Sequence, residues 1–134
     1  MGDEITVDVP VRYRDLDTLN HVNNAVYASY MEEARAAYAE EVLGLAFDEY
    51  NFVLATLEIS FGRPVTMDDD LTVAAEVTGL GETSATMTYD VRADDESVAT
   101  GETTLVFVDR ETKRPSPIPD EIRERIREHD GLES

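Results

Sequence analysis

The apolar residues of this chain change their period along its length. From Glu4 to Tyr13, Ile5, Val7 and Val9 alternate with polar residues, the spacing of a half-buried strand; Pro10 interrupts it as a sheet edge or bulge tolerates. Further on, Val26, Tyr27, Tyr30, Met31, Ala34, Tyr38 and Val42 recur at steps of three and four. That is the single apolar stripe of an amphipathic helix. Asn23 or Asn24 is suited to cap it, because an Asn side chain can accept one of the first unpaired N–H groups. Gly44 suits the residue just past its end, near Leu43. At ~1.5 Å per residue such a rod is about 30 Å long. Glu32, Glu33, Glu40 and Glu41 fall mostly off the stripe, toward water.

After Asp48 the alternation returns. Over Phe52–Phe61, it predicts Val53, Ala55, Leu57, Ile59 and Phe61 on one face of a strand and Thr56, Glu58 and Ser60 on the other. Leu71–Gly79 alternates through Leu71, Val73, Ala75 and Val77, and Ala85, Met87, Tyr89 and Val91 form the next apolar face. Ser97–Val108 reads as a long last strand. "GLGE" and Asp94-Asp95-Glu96 are the turns between them, and turns so short imply antiparallel pairing. A tail helix from about Pro119 to His129 puts Pro near its first position and Asp120 and Glu121 in its positively polarised first turn. The expected fold is α+β: a single domain over residues 1–134, with one long helix laid across one face of a curved antiparallel sheet of about five strands.

Composition narrows the function. The length suits one domain, large enough to bury roughly 70% of its unfolded surface without a staple. There is no cysteine, which excludes disulfides, thiolate metal sites and a cysteine nucleophile. No apolar run approaches the ~20 residues of a membrane span, and MGDEITVDVP has neither a basic nor an apolar leader region, so the cytoplasm is the expected location. The net charge is −19, from 30 acids against 11 bases, with Lys113 the only lysine. The acids are dispersed rather than gathered in a tail. Self-repulsion at this charge opposes compaction, and at ~1 M salt a Debye length of about 3 Å screens it, so a salt-adapted, halophilic protein is expected. No basic stripe is present for nucleic acid.

The chemistry concentrates in "RDLDTLNHVNNAVYASYMEEAR", Arg14 to Arg35. Asp15, Asp17, His21, Asn23 and Asn24 stand together just ahead of the helix. The first N–H groups of a helix point outward unpaired and carry roughly half a positive charge, so they can hold a carboxylate or an oxyanion. A carboxylate beside them can act as a general base or as a nucleophile toward a carbonyl. Spacing leaves both roles open, and leaves open a third in which the aspartates and asparagines only cap the helix.

The stretch "YRDLDTLNHVNNAVYASYMEEAR" resembles the signature of the hotdog-fold acyl-coenzyme A thioesterases of the 4-hydroxybenzoyl-coenzyme A thioesterase type. Tyr13, Asp15, Asp17, His21, Val22, Asn23, Asn24, Tyr27, Glu32 and Arg35 occupy the places of that motif. The resemblance continues through "EISFGRPVTMDDDLTV" and "VATGETTLVFVDRETKRPSPIP". It implies the fold derived above and hydrolysis of an acyl-coenzyme A thioester without metal or organic cofactor. By resemblance Asp17 is the catalytic carboxylate, the Asn24 amide polarises the thioester carbonyl, and His21 is a third candidate catalytic residue, which shapes the loop, contacts substrate or transfers a proton. The sequence departs from the pattern at Asn20, where the family usually has Gly; Asn is the residue that best tolerates the positive φ expected there. The family's dimers join sheets edge to edge, so a homodimer or homotetramer is expected, with Tyr27, Met31, Thr56 and Glu58 as candidates to line the pocket or interface. Coenzyme A carries phosphates, for which Arg63, Arg110 and Arg114, with Lys113, are the available cations. The competing function is a non-catalytic hotdog module that binds acyl-coenzyme A. A hotdog dehydratase lacks its His–Phe–Pro–Gly type of motif here.

Overall fold

The computed structural model describes residues 4–46 and 51–132. Strand β1 (Ile5–Val9) stops at Pro10, short of the expected Tyr13, because a residue without an N–H cannot extend the ladder. A single 3₁₀ turn follows at Tyr13–Asp15. Helix α1 (Val26–Tyr38) continues through a π-helical turn at Ala39–Leu43 and ends where Gly44 takes φ 67°. Then come β2 (Phe52–Phe61), β3 (Leu71–Leu80), β4 (Ser84–Ala93), β5 (Glu96–Phe107) and α2 (Asp120–Asp130). The change of period placed after Asp48 falls outside the described residues.

All pairings are antiparallel, in the order β1-β3-β4-β5-β2. The β4–β5 hairpin turns on Asp94 and Asp95, at φ 50° and 70°, the left-handed pair that matches strand twist. Helix α1 buries Tyr27, Tyr30, Met31, Ala34 and Tyr38, all of them on the predicted stripe. They meet Val73, Ala75 and Val77 of β3, Ala85, Met87, Tyr89 and Val91 of β4, and Leu105 and Phe107 of β5 in one core. Gly101 lets α1 come this close: a Cβ there would stand 2.4 Å from the Met31 sulfur. This helix-on-sheet layer is the hotdog arrangement.

Strand β2 departs from expectation. Its ladder to β5 slips between Leu54 and Thr56, a bulge at Ala55. Residues directly opposite one another share a face. Leu54 pairs with buried Leu105 and Leu57 with buried Thr103, so Leu54, Leu57, Ile59 and Phe61 share the helix side, while Val53 faces away with Val106. Strict alternation had put Val53 with Leu57; one extra residue reverses the parity. The strand is also an edge, and it leaves Val53 51%, Leu54 46%, Leu57 38% and Phe61 46% exposed. Among the described residues no helix is long and apolar enough to cross a membrane.

Candidate active site

The loop between the 3₁₀ turn and α1 is closed by its own polar groups. Leu16 and Val22 form an isolated antiparallel bridge. Inside it, the Asp17 N–H donates to the His21 carbonyl at 2.7 Å and the Asn20 N–H to the Asp17 carbonyl at 3.0 Å. Asp17 Oδ1 accepts the N–H groups of Leu19 (2.8 Å) and His21 (3.2 Å). So tight a turn requires a left-handed residue, and Asn20 supplies it at φ 62°, as expected of an Asn standing where the family usually has Gly. Asp17 is exposed, and its Oδ2 accepts no hydrogen bond from the described residues. His21 enters through its backbone.

The entrance to α1 is arranged so that one donor stays open. Asn23 N–H goes to the Asp15 carbonyl (2.8 Å), and Val26 N–H goes to the Asn23 carbonyl (2.9 Å). Ala25 N–H goes to Asn23 Oδ1 at 2.9 Å. The Asn23 side chain therefore serves the turn before the helix; Asn24 gives no side-chain cap, and the N-cap position is Ala25. Tyr27 N–H reaches the Asn24 carbonyl at 3.3 Å. Among the described residues nothing accepts the Asn24 N–H. The loop thus presents a free carboxylate oxygen and, one residue ahead of the helix N-cap, a free backbone amide, the acceptor and donor that cleavage of an ester needs.

The two aspartates of the motif have different fates. Asp15 is 7% exposed, and its Oδ2 accepts both the Tyr30 hydroxyl and the Arg12 N–H at 2.9 Å. Burial and that neighbouring carboxylate push the Tyr30 hydroxyl far above its usual range. Tyr27 is 3% exposed and sets its ring edge-on to Tyr30 (6.0 Å) and to Phe61 of β2 (5.1 Å). Burial raises its pKa, against the pull of nearby Arg63. Its hydroxyl has no partner among the described residues, and none of their sealed side-chain polar atoms is left unpaired, so that hydroxyl opens to solvent at the rim. The Val22 N–H donates to the Val65 carbonyl (2.8 Å), which ties the loop to the segment after β2.

Other predicted residues lie elsewhere. Met31 is fully buried under Gly101 and is core. Thr56 pairs with Thr104 and Glu58 with Glu102 on the sheet face away from α1. Glu58 there lines an open trough of about 710 Å³ together with Asp90, Arg92 and Thr100. Arg63 is engaged twice: a two-pronged pair to Asp69 at 3.2 Å, and Nε to Glu96 at 2.8 Å. The Arg63 guanidinium, with the Thr66 N–H, holds the Asp69 carboxyl below its usual range. Arg110, Lys113 and Arg114 sit on the hairpin beyond Phe107, where Asp109 N–H meets the Arg114 carbonyl at 2.9 Å. That hairpin is at the Phe52 end of β2, while Asp17 is near the Phe61 end. Nine steps of ~3.3 Å separate those ends by about 30 Å, so one chain does not bring these cations to Asp17. Spacing did not reveal Asp15 as the buried member. The available signal was Tyr30, which is central to the apolar stripe with a hydroxyl that needs an acceptor.

A family model described as "Thioesterase-like superfamily" matches residues 11–126. The chain is 28% identical over 123 residues to the long-chain acyl-CoA thioesterase FadM of Escherichia coli, covering 88% of this chain and 93% of that one. A Thermus thermophilus thioesterase solved with coenzyme A and zinc superposes with TM-score 0.89 at 43% identity, covering 96% of each chain. A predicted thioesterase from Bacillus stearothermophilus gives 0.87 at 26% identity, over 95% of this chain and 96% of that one. The family-model match along most of the chain, on a hotdog scaffold shared with these thioesterases, places this chain in the thioesterase-like superfamily, and it is a thioesterase.

Proposed function

We propose that the protein hydrolyses an acyl-coenzyme A thioester, with the Asp17 carboxylate and the Asn24 backbone amide acting on the carbonyl. The observation that carries this reading is the Asp17 carboxylate itself: one oxygen is clamped by two loop amides and the other left open, in the same loop that carries the Asn24 N–H, which lacks an acceptor among the described residues. As a base, Asp17 takes a proton from water as the water oxygen attacks. The carbonyl electrons move to oxygen, where the Asn24 N–H stabilises them, and collapse expels coenzyme A as thiolate. As a nucleophile, Asp17 attacks directly and water cleaves the resulting mixed anhydride. Neither route needs a strong acid, because a thiolate leaves readily. His21 contributes through its backbone, which shapes the turn around Asp17.

A second copy completes the site. Strand β2 is a long edge with four exposed large apolar residues, a surface that invites pairing with an identical strand. Across a two-fold axis the paired edges run antiparallel. That carries the Phe52 end of one copy toward the Phe61 end of the other, and with it the partner's Arg110 and the partner's Arg114 toward Asp17. These cations then meet the coenzyme A phosphates.

A thiol-release assay over short, long and aromatic acyl groups tests the reading. Asp17→Asn should lower kcat at least ~10²-fold while the protein melts unchanged. Reversing the charge of Arg110 and Arg114 together should raise KM with kcat intact. Mixing those two variants should recover activity, since a mixed dimer holds one whole site. Asp17→Asn with wild-type turnover ends the catalytic reading, and mixtures that recover nothing end the shared site. The charge of −19 supports a protein at home in a salty cytoplasm. Its melting temperature should rise steeply between about 50 mM and about 2 M KCl, and a flat response rejects salt adaptation.

A further inference from the structure

The Asp15 carboxylate takes no part in the chemistry above, yet it is nearly sealed and holds two donors. We propose that Asp15 and Tyr30 form a positioning pair that aims the Asn24 N–H and fixes the Asp17 turn against helix α1; this rests on the reading that those two groups perform the hydrolysis.

The hydrogen bonds lead from one to the other. Tyr30 lies in the second turn of α1, and its ring is wedged edge-on against Tyr27, so its hydroxyl is a fixed point. Asp15 Oδ2 is bound to that point at 2.9 Å and to the Arg12 N–H at 2.9 Å. The backbone carbonyl of Asp15 then accepts the Asn23 N–H at 2.8 Å. Asn23 in turn accepts from Ala25 with its side chain and from Val26 with its carbonyl. Its two peptide planes are therefore set, and the next N–H along the chain is the open one of Asn24. In the other direction Leu16, the residue after Asp15, bridges to Val22 and opens the turn that clamps Asp17. Donor and carboxylate both hang from residue 15. A carboxyl side chain suits the task, because its Oδ2 accepts both donors at once and joins the helix hydroxyl to the loop backbone. Misplacement of reacting groups by ~1 Å can cost about 10²-fold in rate, so a loosened anchor should appear in kcat.

The molecule carries its own control. At the far end of α1, Tyr38 donates to Asp130 on α2 by the same chemistry, with no link to the loop. Tyr30→Phe and Tyr38→Phe each remove one buried hydroxyl. Tyr30→Phe should lower kcat about 10- to 100-fold with KM within about threefold, while Tyr38→Phe, though it melts earlier, should keep wild-type kcat. Amide hydrogen exchange gives a readout independent of turnover: the Asn23 N–H should lose protection in Tyr30→Phe and keep it in Tyr38→Phe. Equal kcat for the two variants overturns the proposal, and so does an Asn23 amide that stays protected in Tyr30→Phe. Asp17→Asn, assayed alongside, separates the two ideas. If it keeps its turnover, the catalytic assignment has failed; if it is inactive while Tyr30→Phe is fully active, only the positioning pair has failed.

Discussion

The two ends of helix α1 are built from the same pair of residues to opposite effect. At the C-terminal end every element closes. Tyr38 donates to Asp130, whose Oδ2 also accepts the Val77 N–H at 3.2 Å, capping a β3 backbone group beyond the reach of β1. Gly44 turns left-handed, the Leu45 N–H returns to the Ala39 carbonyl at 3.0 Å, and Arg125 Nη1 reaches the Leu43 carbonyl at 2.8 Å. At the N-terminal end Tyr30 also donates to an aspartate, but there the aspartate belongs to a loop that leaves a donor and an acceptor exposed. The negative end of the helix dipole is sealed by a cation and a second helix; the positive end is held open. The same buried Tyr–Asp bond is thus used as a staple at one end and as a strut at the other.

The sharpest way to break this contrast is to compare Asp15 and Asp17 directly. Asp15→Ala strands the buried Tyr30 hydroxyl and the Arg12 N–H, at ~1–3 kcal/mol for each lost partner, so the protein should melt roughly 10 °C lower or more. Asp17→Ala exposes two loop amides that water can reach, and the melting temperature should stay within about 2 °C of wild type. Thermal unfolding followed by circular dichroism reads both. If the two variants melt together, the division between a structural and an exposed aspartate is wrong.

Much of this scaffold was legible because its signals are local. The three- and four-residue steps from Val26 to Tyr38 fixed the buried face of α1, and the alternation of β4 places Ala85, Met87, Tyr89 and Val91 inward. Asn20 was readable through the resemblance, since it stands where the family usually has Gly and Asn tolerates the φ of 62° found there. What failed was nonlocal. Nothing in "FVLATLEISF" marks the extra residue at Ala55 that exchanges Val53 for Leu54 on the helix side, or announces that this strand lies at the edge. The fates of Asp15 and Asp17 depend on a tyrosine 15 residues downstream of Asp15 and on amides around a turn. Arg63 looked available until Asp69 and Glu96 came into view across the fold. Positions of opposite charge far apart in sequence carry no period, so pattern alone cannot pair them.

The smallest effect sharpens the same comparison from outside the helix. The open end of α1 leans on the segment after β2, because the Val22 N–H is held by the Val65 carbonyl. That segment is gathered by Asp69, which binds Arg63 and the Thr66 N–H at 2.9 Å. These bonds hold the folded Asp69 carboxyl below its ordinary 3.8. The unfolded chain therefore binds the proton more readily, and the stability Asp69 gives is present above about pH 3.8 and lost as pH falls through its lower folded value. The pair is partly exposed to water, so the effect is small and shrinks in salt. Asp69→Asn should melt slightly below wild type at neutral pH, and the gap should close as the solution is acidified past about pH 4. The closed end of α1 has no such tie to Asp69, so hydrogen exchange near Tyr38 should not follow this titration while exchange at the Val22 N–H does. Melting curves that stay parallel down to the acid limit would show that the Val65 segment is held by its backbone alone.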